Sequence, residues 1–133
     1  MSVFCGDGAR VLVAEDNLVN QKIARKILER FGCTVVCAGD GEEALSLWES
    51  ESFDIILMDV QMPRVDGLEA TRQLRKLEAL RGTRTPVIAL TANVMAEDIA
   101  KCRQAGMDGH LPKPFLVEDV QSTIDFWTVR RAA

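Results

Sequence analysis

The run Ile55-Ile56-Leu57-Met58 is ended by Asp59 and then by the turn residues Gln61-Met62-Pro63. A short, Ile-rich run bounded in this way fits a strand buried on both faces, the kind found in a parallel sheet covered by helices. A carboxylate has no packing reason to cap such a strand, because burying its charge is costly unless something specific compensates it. Glu15 and Asp16 end another apolar run, Val11-Leu12-Val13. In an open parallel sheet, ligands gather outside the carboxyl ends of the strands. Three acidic groups are therefore expected to converge on one pocket, where mutual repulsion demands a counter-cation.

Strand and helix patterns alternate along the rest of the chain. Arg10–Ala14 reads as the first strand, and Asn17 and Asn20 can help cap a helix whose Val19, Ile23, Ile27 and Phe31 recur at helical spacing. Gly32 stops it. Cys33–Cys37 is a β-branched strand, and Asp40 with Glu43 forms a variant capping box for a helix facing inward through Ala44, Leu45 and Trp48. After the strand ending in Asp59, Asp66 and Glu69 start a helix with Ala70, Leu74 and Leu77 inside. Arg81–Thr85 is a polar connection, and Pro86 opens the strand Val87–Leu90. Met95, Ile99 and Cys102 stripe a fourth helix closed by Gly106. Gly109–Leu111 is a brief fifth strand, followed by the sharp loop Pro112-Lys113-Pro114. The last helix carries Val117, Val120, Ile124 and Trp127, with acidic Glu118-Asp119 at its start and basic Arg130-Arg131 at its end, both complementing the helix dipole. Five β/α units with right-handed crossovers give an α/β, doubly wound, five-stranded parallel sheet with five helices. Periodicity leaves the strand order open.

A chain of 133 residues, 47% hydrophobic and 27% charged, suits one globular domain. It is assigned to residues 10–129, with a leader or boundary segment at 1–9 and a tail at 130–133. The net charge of −4 argues against a broad nucleic-acid-binding face. No apolar stretch approaches a bilayer-spanning length and no signal core follows the N-terminus, so membrane contact is not expected and a cytoplasmic setting is the default. Cys5, Cys33, Cys37 and Cys102 form neither a C-x-x-C pair nor a cluster with the single histidine, His110. Reduced, packed thiols are expected, with Cys33 and Cys37 on one strand face.

If strands one, three, four and five end on one side, they deliver Glu15-Asp16, Asp59, Thr91 and Lys113 to one place. Asp59 can act as a carboxylate nucleophile and form an aspartyl-phosphate. Asp16, Asp59 and a backbone carbonyl at Gln61 offer the few oxygen ligands that Mg²⁺ takes while keeping waters, one of which Glu15 can hold. Lys113 can pair with a phosphoryl oxygen and the Thr91 hydroxyl can donate to another. Phosphoryl transfer needs chiefly positioning and charge neutralisation, and this set supplies both. Asp40 and Asp66 are read as helix caps, and Trp48 and Trp127 as core residues. An aspartyl-nucleophile phosphohydrolase of the haloacid-dehalogenase kind needs a second Asp two residues after the nucleophile; that position is Gln61, which cannot serve as acid or base at neutral pH.

Four segments in order, Val-Leu-Val-Ala-Glu-Asp-Asn, Ile-Leu-Met-Asp with Met-Pro-Arg-Val-Asp-Gly, Val-Ile-Ala-Leu-Thr-Ala and Leu-Pro-Lys-Pro-Phe, make the chain resemble the receiver domain of two-component response regulators. The resemblance runs from about Arg10 to Trp127. It implies a flavodoxin-like sheet of order 2-1-3-4-5, Asp59 as phosphoacceptor, Glu15 and Asp16 as the acidic pair, Thr91 as the switch hydroxyl and Lys113 as the family's lysine. It also implies a cis Lys113–Pro114 bond. The implied partner is a histidine kinase or a histidine phosphotransfer domain, docking around Asn17, Asn20, Gln21 and Ala24. Asn17-Leu-Val-Asn20 and Thr91-Ala-Asn-Val-Met-Ala-Glu-Asp98 look most like receivers of hybrid sensor kinases, some of them the cytosolic part of a membrane-anchored protein. His110 stands where receivers commonly carry Tyr or Phe, an aromatic that moves inward toward the threonine on phosphorylation.

Overall fold

Each of the five apolar runs forms a parallel strand in the computed structural model, which describes residues 8–62, 65–92 and 95–132, the last four as backbone only. The elements alternate without exception: β1 (Arg10–Ala14), α1 (Leu18–Arg30), β2 (Thr34–Ala38), α2 (Gly41–Ser50), β3 (Ile55–Asp59), α3 (Gly67–Arg81), β4 (Val87–Thr91), α4 (Ala96–Ala105), β5 (Gly109–Pro112) and α5 (Val117–Ala132). The sheet order is β2-β1-β3-β4-β5, the flavodoxin-like order that the resemblance implied. Residues Cys5, Pro63 and the side chains of Arg130 and Arg131, as well as the segment before Gly8, lie outside the described residues.

Every residue of β3 is buried, as its apolar run requires. The alternation of the strand pleat divides the core into two layers. Val11, Val13, Ile55, Leu57, Ile88 and Leu90 face Ala24, Ile27 and Leu28 of α1 and Val120 and Ile124 of α5. Leu12, Ile56, Met58 and Ala89 face Trp48 of α2, Leu74 of α3 and Cys102 of α4. Cys33 and Cys37 share the first layer, and Cys33, Cys37 and Cys102 are free thiols. Burial, with Asp125 and Asp54 nearby, pushes the Cys33 thiol up to about 11, so it stays protonated at neutral pH.

Local signals hold where a side chain caps its own helix. Asp40 accepts from the Glu43 N–H at 2.8 Å, Glu43 reaches back to the Gly39 N–H at 2.7 Å, and Asp66 accepts from the Glu69 N–H at 2.9 Å. Asn17 caps α1 alone, accepting from the N–H groups of both Val19 and Asn20. Gly82 and Gly106 end α3 and α4 in the left-handed region, at φ 72° and 107°.

Several expectations are overturned. Val19 and Ile23 are not on the inner face of α1; they are 64% and 41% exposed, while Ala24, Ile27 and Leu28 are buried. A row of residues four apart drifts about 40° around a helix of 3.6 residues per turn at each step, so Val19 to Phe31 cannot stay on one face. Ala24, expected at a docking surface, is only 2% exposed because it shares the inner face of α1 with Ile27 and Leu28. Met95 is the exposed N-cap of α4 rather than part of its inner stripe, and Val117 at the start of α5 is exposed. The second strand begins at Thr34, one residue later than its pattern suggests, because Leu28 O holds the Cys33 N–H in the turn after α1.

The topology brings β1 and β3 side by side at the centre, with Ala14 opposite Met58, Asp59 opposite Leu90 and Thr91 opposite Pro112. Since β2 lies on one side of β1 and β3 on the other, the chain leaves β1 and β3 toward opposite faces. A crevice opens there.

Candidate functional site

Glu15, Asp16, Asp59, Gln61, Thr91 and Lys113 line one cleft of about 850 Å³ at this crevice. Glu15 and Asp59 are 1% and 5% exposed, and Asp16 is exposed at the rim. One ligand oxygen from each of the three carboxylates lies within 4.8 Å of the others. The Lys113 ammonium reaches over from the loop after β5 and sits 2.8 Å from both Asp59 Oδ2 and Glu15 Oε1. Burial disfavours its charge, but its hydrogen bond to Asp59 and the charge attraction of Asp59 and Glu15 outweigh that and hold its pKa above the ordinary lysine value.

The other oxygens of Asp59 and Glu15 are fixed by backbone. Asp59 Oδ1 accepts from the Gln61 N–H, and Glu15 Oε2 accepts from the Asn17 N–H, both at 3.1 Å. Glu15 Oε1 is buried and lies at ion-pair distance from Lys113, yet off the direction of a hydrogen bond. Three carboxylates close together, two of them at ion-pair distance from the Lys113 ammonium, leave an excess of negative charge and an under-satisfied buried oxygen. All donors are hard oxygens, and that set fits a divalent cation such as Mg²⁺ held by Asp16 and Asp59.

Gly67 explains why the turn after Asp59 can close so tightly. Its N–H donates to Val60 O at 3.1 Å, and a Cβ there would meet Asp59 O at 2.0 Å. Gly41 is equally constrained, since a Cβ would meet Val65 O at 2.2 Å. The peptide bond between Lys113 and Pro114 is cis, as the resemblance implied.

His110 is outside this set. It is exposed on β5, in register with Ala89 and on the same sheet face as Thr91. Gln21, read from the sequence as an exposed docking residue, is half-buried and turned toward the acidic loop. Leu68 of α3 and Asp98, Lys101 and Cys102 of α4 also line the cleft. Nothing in their own spacing marks them; they join the cleft only because α3 and α4 pack on the same face of the sheet. Asp40 and Asp66 remain helix caps.

A model of the response regulator receiver domain matches residues 11–125. Probable histidine kinase 2 of Oryza sativa subsp. indica is 46% identical over 122 residues, covering 81% of the chain and 12% of its own length. Hybrid signal transduction histidine kinase K of Dictyostelium discoideum is 38% identical over 127 residues, covering 92% of the chain and 10% of its own length. The chain thus spans about a tenth of the length of these relatives. Among solved structures, the co-crystal of the Saccharomyces cerevisiae histidine phosphotransfer protein Ypd1 with the receiver domain of Ssk1 is similar at a TM-score of 0.93 and 29% identity, covering 99% of this chain and 95% of that one. The receiver domain of sensor histidine kinase PA1611 from Pseudomonas aeruginosa, with magnesium coordinated in its active-site cleft, is similar at a TM-score of 0.83 and 40% identity, covering 92% of this chain and 98% of that one.

Proposed function

The chain belongs to the response regulator receiver domain family, and from that premise we propose that it is a Mg²⁺-dependent phosphoacceptor switch with Asp59 as its phosphorylation site. The observation that carries this reading is the Lys113 ammonium bridging Asp59 and Glu15 at 2.8 Å, with Asp16 alongside. An Asp59 carboxylate oxygen attacks the phosphorus of a phosphohistidine; the P–N bond breaks and its electron pair stays on the imidazole. Lys113 pairs with one phosphoryl oxygen and the Thr91 hydroxyl donates to another. Asp16, Asp59 and the Gln61 carbonyl would hold Mg²⁺, with Glu15 holding one of its waters, and the bound ion would supply neutralisation of the charge on the transferring group. The switching unit is residues 10–129, working in the cytoplasm as a receiver rather than a turnover enzyme. Among the described residues no helix is long and apolar enough to cross a membrane.

Incubation with acetyl phosphate or a phosphohistidine donor should add one base-labile phosphate per chain, and only with Mg²⁺ present. Catalytic turnover of a phosphomonoester without accumulation of labelled protein would replace the switch by an enzyme.

The partner is a histidine kinase or histidine phosphotransfer domain, a reading supported by the Ypd1 complex of the similar receiver. On this chain the docking surface is formed by Leu18, Val19 and Ile23, which stand 68%, 64% and 41% exposed on α1 beside the Glu15-Asp16 loop, whereas Gln21 is half-buried and Ala24 buried. Leu18→Asp should slow transfer from a phosphotransfer protein about tenfold or more, while labelling by acetyl phosphate is unchanged. A parallel loss with both donors would assign Leu18 to the pocket instead.

His110 and Thr91 are proposed to form the switch. They lie on one sheet face at diagonal positions of neighbouring strands, within reach of a long side chain. On phosphorylation the His110 ring should turn inward toward the Thr91 hydroxyl. His110→Ala should leave labelling by acetyl phosphate unchanged but shrink the chemical-shift changes that follow along β4 and β5. NMR of the beryllofluoride-bound proteins tests it; equal shift changes in both proteins exclude His110.

A further inference from the structure

The side chain of Gln21 points at the metal-binding loop, where its amide finds two carbonyls. Nε2 donates to Glu15 O at 2.5 Å and to Ala38 O at 3.4 Å. Ala38 O also accepts from the Glu15 N–H at 2.9 Å, which is where β1 and β2 cease to pair, the last registered residues being Ala14 and Ala38. Beyond that point the strand ladder no longer supplies a donor for Glu15 O. Gln21 supplies it from the first turn of α1, whose own start is fixed by the Asn17 cap and by the Gln21 N–H bonded to Asn17 O.

The carbonyl that Gln21 holds belongs to the peptide group joining Glu15 to Asp16. A peptide unit is planar, so fixing its oxygen fixes the direction in which the chain enters Asp16. Rotation of this plane would swing the Asp16 carboxylate away from Asp59 while leaving β1 intact. We infer that Gln21 is a positioning residue for the divalent cation: it orients Asp16 through the Glu15–Asp16 peptide and so sets metal affinity without touching the metal. This rests on the reading of Glu15, Asp16 and Asp59 as the Mg²⁺ site. Gln21 thereby does the work of an outer-shell partner, whose loss commonly lowers metal affinity by one to two orders of magnitude when it contacts a ligand directly. Acting through a backbone carbonyl, its removal should cost less.

Gln21→Met keeps the length and half-buried packing of the side chain but cannot donate. Titration of Mg²⁺ followed by NMR of the purified protein should show its Kd raised about three- to tenfold. The Asp16 amide resonance of the metal-free variant should be displaced. Labelling by acetyl phosphate should be slower at limiting Mg²⁺ and return to the wild-type rate at saturating Mg²⁺. A Kd within twofold of wild type overturns the inference, whether or not the melting temperature falls. So does a defect confined to transfer from a phosphotransfer protein, which would make Gln21 a docking residue. A wild-type chain that binds no Mg²⁺ would overturn the site reading itself, a result distinct from a wild type and variant that bind alike.

Discussion

Asp59→Asn should take up no phosphate under conditions in which the wild-type chain takes one. The Asp59 carboxylate is the group at this cleft that both lies under the Lys113 ammonium and ends the central, fully buried strand. An amide oxygen in its place is too weak a nucleophile to form the acyl phosphate. The same substitution should stabilise the metal-free protein by about 1 kcal/mol. Carboxylates about 5 Å apart repel by roughly 3 kcal/mol each at an effective dielectric of about 20, and the lost attraction to Lys113 offsets much of the relief. Glu15 keeps its own contact with Lys113 in the variant. Mg²⁺ should then raise the melting temperature of wild type more than that of Asp59→Asn, because metal binding stabilises by mass action. Intact-mass measurement after acetyl phosphate treatment and melts with and without Mg²⁺ check both parts. Equal labelling of the two proteins, or equal metal-induced shifts, would remove Asp59 from the site.

Glu78→Ala should destabilise the fold by roughly 3–5 kcal/mol, measured by urea denaturation, while leaving Mg²⁺ affinity unchanged. Glu78 is 3% exposed at the end of α3. Its carboxylate accepts from Arg75 Nη1 and from the Thr85 N–H, both at 2.5 Å. Arg75 also donates to Gly106 O, Thr85 O and Asp108 Oδ2 at 2.9, 2.8 and 2.7 Å, so one guanidinium ties α3 to the start of β4 and to the turn after α4. Removing Glu78 strips a half-buried cation of one of its two carboxylates and orphans the buried Thr85 N–H. Trp48 donates to Thr85 Oγ1 on the same side, extending the network to α2. The network lies at the N-terminal end of β4, whereas Thr91 and the cleft lie at its C-terminal end. A loss of stability below 1 kcal/mol would mean that the pair is solvated in solution.

Features that depend on neighbours along the chain could be read from the residues alone. Five β/α units follow from apolar runs punctuated by turn residues, and the caps at Asp40 and Asp66 from a carboxylate three residues before an N–H it can reach. The acidic and basic residues at the strand ends were legible because a charge ending a buried run has no packing explanation. The rest came from long-range packing. Periodicity left the strand order open; the resemblance implied it, and the pairing of β1 with both β2 and β3 realises it and creates the crevice. Which stripe of α1 faces the sheet depended on packing against β1 and β2, so Ala24 went inside and Val19 and Ile23 outside, against a row drawn at a spacing of four. Arg75 and Glu78 read locally as an ordinary surface pair three residues apart; only the approach of Gly106 and Asp108, in the turn between α4 and β5, covers them. Gln21 likewise has no signal in its spacing, because the carbonyls it holds belong to the ends of two strands that meet only in the folded sheet.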